Sequence, residues 1–577
     1  MTVKTLNTPL FAAFFYFLLL NSIVAGGAEI AVSACDTDST PIAEIQGNRF
    51  VSPLVDQQVT VQGVITLIEA GKGLYIEQAD SDQSSRTSNA MFIQFNNQSA
   101  EYEPGWLVSA TGTVSELGKR RNTLTSLTAV DGLTVCATGL PLPRTAVALP
   151  LDVVERESLE GMRILLNGQF TVSDAYQLDR DRFTISGNGI QFVPTEVGPT
   201  GMMASVHRQQ NRSYALPARR LPGSENDELL IAGSAIGEVA GVLGHDGGGL
   251  RVFVQSSIGG QSPEFLPANK PQPGDLRVVG MNLHNYFNGD GKGGEFPTPR
   301  GAKTLVEFEQ QRSRIGAAIK VLDPHVIGVM ELENDGFGSA GAAADFIRLA
   351  TESTGGEWAA SIPDAGGTGG DKIAVGIFYR KDLLQAVGDA RTLEGPEFKR
   401  SRQPLAQVFK SPGQDEQILV VINHLKSKGS CPKSGENANK RDGQGCWNAV
   451  RLASAVKMTA WATRTAAAAK TDNILILGDM NAYRNEDPVH AIRNAGYTEL
   501  MDDDRGQVYS FMFFGQAGTL DYAFVSGELL PKVQNAFIWN VNAALPARMD
   551  FPQPWLRFSD HDPVVVDIRW RQAVTSD

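Results

Sequence analysis

Near the end of the chain an acid and a histidine stand side by side in Ser559-Asp560-His561-Asp562-Pro563, directly before the run Val564-Val565-Val566. Three β-branched residues in succession predict a strand buried on both faces. Asp560 and His561 then sit at the mouth of a rigid strand. There a carboxylate can ligate a hard cation and an imidazole can move a proton near neutral pH. A surface turn that happens to hold a histidine would look the same in isolation. Other segments, however, deliver similar groups to strand ends. Asn282 follows the apolar run 276–281, Glu331 follows 325–330, and His424 follows 417–422. Asp479 and Asn481 follow 473–477, and Asp521 precedes 523–526.

These residue types fit one chemistry. Glu331 and Asp560 are oxygen donors suited to Mg²⁺, Mn²⁺ or Ca²⁺, and Asn282 and Asn481 can present amides to a metal, a water or a phosphoryl oxygen. His424 and His561 offer one proton acceptor and one donor for the two ends of an in-line displacement. Asp521 can orient and charge-stabilise one imidazole, and Asp479 can orient the attacking water. Together they suit metal-assisted hydrolysis of a phosphodiester. A serine hydrolase lacks support, because no Gly-x-Ser-x-Gly elbow is present. Any single Asn or Asp here has an alternative reading as a turn former.

The elements that must hold these groups follow from their order. Asn282, Glu331, His424 and Asp479/Asn481 come after their strands; Asp521 and Asp560/His561 come before theirs. If one rim holds them all, the strands run in both directions. That excludes an all-parallel doubly wound sheet and predicts mixed sheets with helices on the outer faces, an α/β sandwich. Helices are predicted at Leu305–Leu322, where Ile315, Ala318, Ile319 and Leu322 share a face, and at 448–470; a further strand is predicted at 372–379.

The rest of the 577 residues divides into smaller units. Residues 1–28 read as an export signal: Lys4 precedes an apolar run of phenylalanines and leucines too short to span a bilayer comfortably, and small residues follow. Residues 35–139 read as an all-β domain, with alternating segments at 59–66, 73–78, 91–95 and 108–114 suggesting an OB-like barrel. Its aromatics Tyr75, Phe92, Phe95 and Trp106 read as core rather than as a base-stacking platform. Residues 140–265 read as a second β module with one long irregular loop from 194 to 227. Four prolines between 263 and 273 mark a boundary, and the α/β unit occupies 275–572. The four cysteines allow three pairings, and their order suggests Cys35–Cys136 and Cys431–Cys446.

Segment 275–570 resembles the endonuclease/exonuclease/phosphatase superfamily, the DNase I-like fold. The resemblance rests on Met281-Asn282-Leu283, Met330-Glu331-Leu332-Glu333-Asn334, Asn423-His424-Leu425-Lys426-Ser427-Lys428, Gly478-Asp479-Met480-Asn481, Leu520-Asp521-Tyr522 and Ser559-Asp560-His561-Asp562-Pro563. The stretch 423–447, with Cys431 and Cys446, is similar to bacterial extracellular nucleases of the ExeM and NucH type, which carry an OB-like module before the nuclease domain. The resemblance implies a four-layered α/β/β/α sandwich. It implies Glu331 and Asp560 as metal ligands with Asn282 beside them, and His561 on Asp521 as the activator of water. It also implies His424 at the leaving oxygen, with Asp479 and Asn481 positioning phosphate and nucleophile. Many such nucleases end in a membrane-sorting tail, whereas this chain stops at Asp577, so free secretion or a periplasmic location is expected rather than a membrane anchor.

The superfamily also cleaves phospholipids and inositol phosphates, so the fold does not choose the substrate. Charge does. The chain carries a net −13, which argues against a general polyanion-coating protein. Residues 391–457 nevertheless hold 12 Lys/Arg and 6 Asp/Glu. Arg402, Lys426 and Lys428 within that stretch are the expected substrate cations, together with Lys399, Arg400, Lys433, Lys440 and Arg441. A basic patch beside His424 points to DNA, with RNA as a second substrate, bound through phosphates and with little sequence preference. The expected enzyme is a monomeric, secreted, divalent-cation-dependent endonuclease. A phospholipid phosphodiesterase, for which Met512-Phe513-Phe514 is the candidate docking loop, and a non-catalytic DNA-binding matrix protein are the alternatives.

Overall fold

The computed structural model describes residues 35 and 38–570, apart from 79–83, 96–101, 120–121, 223–228, 257, 290–294, 364–367, 400 and 502–507. The expected export signal, residues 1–28, and Arg400 lie outside the described residues. No helix among the described residues is long and apolar enough to cross a membrane.

The first module is built from β1 (Gln58–Glu69), β2 (Gly73–Glu77), β3 (Ala90–Gln94), β4 (Leu107–Lys119) and β5 (Asn122–Thr128). Hydrogen-bonded neighbours run β1-β2-β3-β5-β4, and β4 pairs back onto β1 from Gln58 opposite Thr113 to Val64 opposite Leu107. Val61, Ile65, Ile76, Ile93 and Val108 fill its core. Tyr75 and Phe92 are buried, as expected, but in the seam with the next module, against Val242 and Phe253. Cys35–Cys136 joins the module's ends, and Cys431–Cys446 closes a loop further on.

The second module is a nine-stranded sheet. Its expected irregular loop is instead ordered over much of its length, with a helix at Met202–Tyr214 and a strand at Ala215–Arg220. The helix buries Ala204 alone. It therefore lacks the apolar periodicity by which a helix is read, and it rests on good helix formers such as Met202, Met203, Ala204, Arg208 and Gln209.

The remaining elements position the rim. They are β6 (Asp275–Tyr286), α1 (Leu305–Leu322), β7 (Val326–Glu333), α2 (Ala342–Thr354), β8 (Trp358–Ala360), β9 (Ile373–Arg380), β10 (Gln385–Thr392), β11 (Leu405–Lys410) and β12 (Gln417–His424). After them come α3 (Asn448–Ala468), β13 (Ile474–Asp479), α4 (Asp487–Asn494), β14 (Thr498–Glu499), β15 (Asp521–Val525), β16 (Val533–Ile538) and β17 (Val564–Arg569). Two six-stranded sheets form, β8-β9-β7-β6-β17-β16 and β10-β11-β12-β13-β15-β14. Each mixes directions, as the rim argument requires: β6 and β7 are parallel, while β17 runs antiparallel to β6.

Alternation along the strands builds four layers. Val564 and Val566 point between the sheets with Val278, Ile422, Leu475 and Leu477. Val565 points the other way, onto Ile315 and Ile319 of α1 and Phe346 of α2. The second sheet turns Leu419, Val421 and Ile476 toward Met458 of α3 and Ile492 of α4.

The pairing of β17 with β6 is pinned inside the protein. Arg277 lies opposite Asp567, and its guanidinium forks onto that carboxylate at 2.7 and 2.8 Å. Its third nitrogen donates to the carbonyls of Asn269 and Leu322 at 2.6 and 2.8 Å. Arg277 is 0 % and Asp567 4 % exposed, so removing one partner strands a buried charge. Arg277→Met should cost about 3–5 kcal/mol in urea unfolding, and the double change Arg277→Met/Asp567→Leu should recover most of it. A single variant as stable as the parent would contradict this role.

Candidate active site

The rim begins with two neighbouring strand irregularities. β6 and β7 stay in register as far as Asn282 opposite Met330, then resume only at Tyr286 opposite Leu332. The pairing of β7 with β9 also slips, between Val329 and Leu332. Within this break Glu331, His284 and Asn285 adopt left-handed backbone, with φ of 64°, 51° and 60°. Bulges re-aim side chains at sheet ends, and non-glycine residues hold such φ values at a cost of about 1–3 kcal/mol each, most often at functional sites. Asn282 and Glu331 are the groups this break presents. The Glu331 side chain is half-buried and has no ion-pair partner among the described residues.

The second sheet brings three groups into one row. His424 on β12 lies beside Asp479 on β13, and Asp479 lies opposite Asp521 on β15. Gly478 makes the close pairing possible: its φ is +143°, and a Cβ there would meet the Asn423 carbonyl oxygen at 2.0 Å. Asp479 is the hub. Its Oδ2 lies 3.3 Å from His424 Nε2 and accepts from Asn282 Nδ2 at 3.5 Å, which links the two sheets. Its Oδ1 accepts from the backbone N–H of Asn481 at 2.8 Å, and Asn481 Nδ2 donates to the Leu425 carbonyl at 3.1 Å.

The last strand supplies the second imidazole. His561 Nδ1 lies 2.7 Å from Asp521 Oδ2, and the ring stacks on Phe511 at 4.5 Å. Ser510 Oγ donates to the same Asp521 oxygen at 2.7 Å and accepts the N–H groups of Leu520 and Asp521 at 3.0 Å each. Next in sequence, Asp560 lies 3.4 Å from His284 Nδ1. Asp562 points inward, where Oδ1 accepts backbone N–H groups from Val541, Asn542 and Ala543 at 2.9, 2.7 and 3.2 Å. It anchors the loop behind the rim.

Burial and charge separate the two histidines. Burial lowers the His424 imidazole below its ordinary value, and the Arg402 guanidinium adds to this against the pull of Asp479. Burial would also lower His561, but the carboxylates of Asp521, Asp560 and Asp479 override it and raise His561 well above the ordinary histidine range. Asp479 itself, despite burial, is held at about 2 by His424, His561 and the Asn481 N–H. Against burial, His284, His561 and Arg557 keep Asp560 below the usual carboxylate range.

The predicted substrate cations occupy different surroundings from those expected. Arg402 is 4 % exposed and donates to the Leu425 carbonyl at 2.6 Å beneath the rim, so it acts on the site as a buried charge. Lys428 is half-buried, 2.6 Å from Glu486 and 4.2 Å from the Tyr483 ring centre. Burial lowers its ammonium to about 8. Neither offers the free surface cation that a charge count suggests. Lys426 donates to Ser427 and lies over the Trp447 ring, while Lys433, Lys440 and Arg441 stand exposed on the disulfide loop. Sequence reasoning missed His284, Ser510, Phe511 and the inward Asp562. Only His284 carries a local signal, two residues beyond Asn282.

Among the described residues Asp479, Asp521 and His561 form a group whose ligand atoms lie within 4.8 Å of one another, and which could hold a metal ion. The donors suit a hard cation: Asp521 Oδ1 is buried with no hydrogen-bond partner, and Glu331 offers a half-buried carboxylate that forms no ion pair among the described residues.

Because the folded protein holds the His561 proton more tightly than an unfolded chain does, this group's stabilisation is fully present below about pH 6.5 and is lost as pH rises through the folded value. Asp521→Asn should therefore lower the His561 titration midpoint in an NMR titration and shrink that pH-dependent contribution. An unchanged midpoint would remove Asp521 as its cause.

Residues 300–561 match the family model described as the Endonuclease/Exonuclease/phosphatase family. No curated protein matches the chain. Among solved structures, the human Nocturnin catalytic domain is 14 % identical with a TM-score of 0.34, over 52 % of this chain and 95 % of that one. An endonuclease/exonuclease/phosphatase from Bacteroides vulgatus is 17 % identical with a TM-score of 0.34, over 52 % of this chain and 99 % of that one. The mannosyl-6-phosphatase of Bacteroides thetaiotaomicron is 16 % identical with a TM-score of 0.34, over 50 % of this chain and 98 % of that one. Residues 300–561, which hold the rim from Glu331 to His561, are thus the part of the chain that is similar to the endonuclease/exonuclease/phosphatase family.

Proposed function

We propose that the protein is a secreted, divalent-cation-dependent phosphodiesterase that cleaves DNA, and RNA as a second substrate, in the manner of bacterial extracellular nucleases of the ExeM and NucH type. The observation that carries this reading is a pair of imidazoles on one rim, each beside its own carboxylate: His561 at 2.7 Å from Asp521, and His424 at 3.3 Å from Asp479. In-line hydrolysis needs one group to take a proton from water and another to steady the leaving oxygen. His561 takes the first task, because Asp521 fixes its tautomer and stabilises the imidazolium that forms. His424 takes the second, with Asp479 and Asn481 aligning phosphate and nucleophile. Glu331 and Asp560, with Asn282 beside them, would hold the cation, which when bound neutralises charge on the phosphoryl oxygens and offsets the carboxylates that retain the His561 proton.

The choice of a polyanionic substrate rests on the exposed Lys433, Lys440 and Arg441 of the disulfide loop. Contacts of this kind meet phosphates and carry no base information, so little sequence preference follows. Export is supported by the two disulfides, which suit an oxidising compartment. A monomer completes the reading.

The test is turnover of plasmid DNA, RNA and sphingomyelin by purified protein with Mg²⁺, Mn²⁺, Ca²⁺ or EDTA. The expected result is metal-dependent cleavage of nucleic acid. Glu331→Gln should lose most activity at limiting Mg²⁺ with its melting curve unchanged, since size is kept and only the charge is lost. Parental turnover in that variant would remove Glu331 from the site. Cleavage of sphingomyelin with nucleic acid left intact would overturn the substrate.

A further inference from the structure

A cavity of about 500 Å³ lies where the second β module meets the catalytic domain, and Asp560 forms part of its wall. One side comes from the catalytic domain, through a hairpin of strands Phe511–Phe513 and Gln516–Gly518 turning at Phe514-Gly515. The other side comes from the module, through Asp174, Tyr176, Gln177, Arg182 and Arg251.

The two sides are fixed to each other. Gln191 and Phe192 of the module pair in parallel with Gln516 and Ala517, making the hairpin's second strand the centre of a three-stranded sheet. Glu196 of the module accepts the Thr519 N–H at 3.1 Å and lies 3.3 Å from Arg484. Gly515 approaches Asp174 so closely that a Cβ there would sit 3.0 Å from the Asp174 Cβ.

Aromatic rings lead from the rim into this space. Phe511 stacks on His561 at 4.5 Å, Phe513 lies 6.3 Å from Phe511 at 17° between planes, and Phe514 lies 4.3 Å from Phe513. Phe513 and Phe514 are 56 % and 85 % exposed, and Tyr176 across the cavity is 52 % exposed. Exposed rings usually mark a surface with something to bind. Arg182 and Arg251 share one carboxylate, Asp246, at 3.1 and 2.7 Å, so two guanidiniums lie beside the rings.

We propose that this cavity seats the unstacked nucleobase of the nucleotide adjoining the scissile phosphate, with the second module forming half of the substrate site. The inference rests on the nucleic-acid reading above and deepens it. The volume suits one nucleoside. Rings beside guanidinium groups are how single strands are held without sequence readout, because every base has a π-face. The same exposed rings also line the cavity that includes Asp560, and this places them beside the rim. Asp174 and Gln177 supply hydrogen-bonding groups at its edge. Single-stranded or frayed ends are the preferred substrates, since a duplex keeps its bases stacked.

The test compares the parent with Phe513→Ala/Phe514→Ala, with Tyr176→Ala on the opposite wall, and with Leu266→Ala as an exposed control. The substrate is a short single-stranded oligodeoxynucleotide carrying 2-aminopurine, alongside the same strand made abasic at that position. The parent should quench the 2-aminopurine emission and should favour the base-bearing strand over the abasic one by about tenfold in KM. Both ring variants should lose the quench and the preference with kcat little changed, and Leu266→Ala should keep both. Equal KM for the two strands in the parent, or ring variants that keep the preference, overturns the subsite alone. Ring-dependent cosedimentation with phosphatidylcholine–sphingomyelin vesicles, with oligonucleotide binding unaltered, reassigns the rings to lipid and overturns it too. A parent that cleaves no oligonucleotide fails before any variant is compared, and removes the nucleic-acid reading together with the subsite.

Discussion

The fork of Arg277 on Asp567 joins the first strand of the α/β domain to its last, across nearly three hundred residues of chain. Strand pairing has a period of two, so a one-residue slip of β17 against β6 would turn Val565 between the sheets and Val564 toward the helices. It would also move Asp560 and His561 out of line with Asn282. A buried guanidinium with every alternative partner supplied by fixed carbonyls tolerates no such slip. The register of one ion pair thus decides whether His561 meets Asp521.

The rim is a product of two sheets rather than of one. Asn282 and Glu331 arrive from the first sheet, His424, Asp479 and Asp521 from the second, and Asp560 and His561 from the entrance to β17. Packing between the sheets by Val278, Val564, Ile422 and Leu477 sets their separation. The Asn282–Asp479 contact at 3.5 Å is the polar link above that apolar layer. Chemistry at the rim follows from where each imidazole lies. His424 is sealed beneath the surface, which lowers its basicity, while His561 stands among three carboxylates that raise its basicity. These pushes oppose the roles assigned to the two imidazoles, so a cation held by Glu331 and Asp560 would have to offset the carboxylates before His561 could accept a proton.

Much of this was legible before any fold was known. The α1 helix begins and ends where the spacing of Ile315, Ala318, Ile319 and Leu322 places it. Polar groups at the ends of apolar runs identified the rim and required strands of both directions. Strand ends were less legible: β6 continues to Tyr286 and β12 to His424, because functional residues interrupt the alternation that reveals a strand. The helix Met202–Tyr214 was hidden for a related reason, since a helix that buries one alanine leaves no pattern. Charge misled in its own way. A count of lysines and arginines cannot tell exposed Lys440 from Lys428, whose ammonium is taken by Glu486. Ser510 and Phe511, which hold Asp521 and His561 from a separate hairpin, come together with them only through tertiary packing.

The central claim is that the two histidines divide the reaction between its two ends. A p-nitrophenyl phosphodiester carries a leaving group that needs little assistance, whereas a deoxyribose oxygen in DNA needs much. The most direct measurement is kcat/KM for His424→Ala and His561→Ala on both substrates. On this account His561→Ala is severe on both, by about 10²–10⁴-fold, while His424→Ala is far milder on the nitrophenyl ester than on DNA. If the two variants show the same ratio of DNA to nitrophenyl-ester activity, the division of labour is contradicted, even with both residues catalytic.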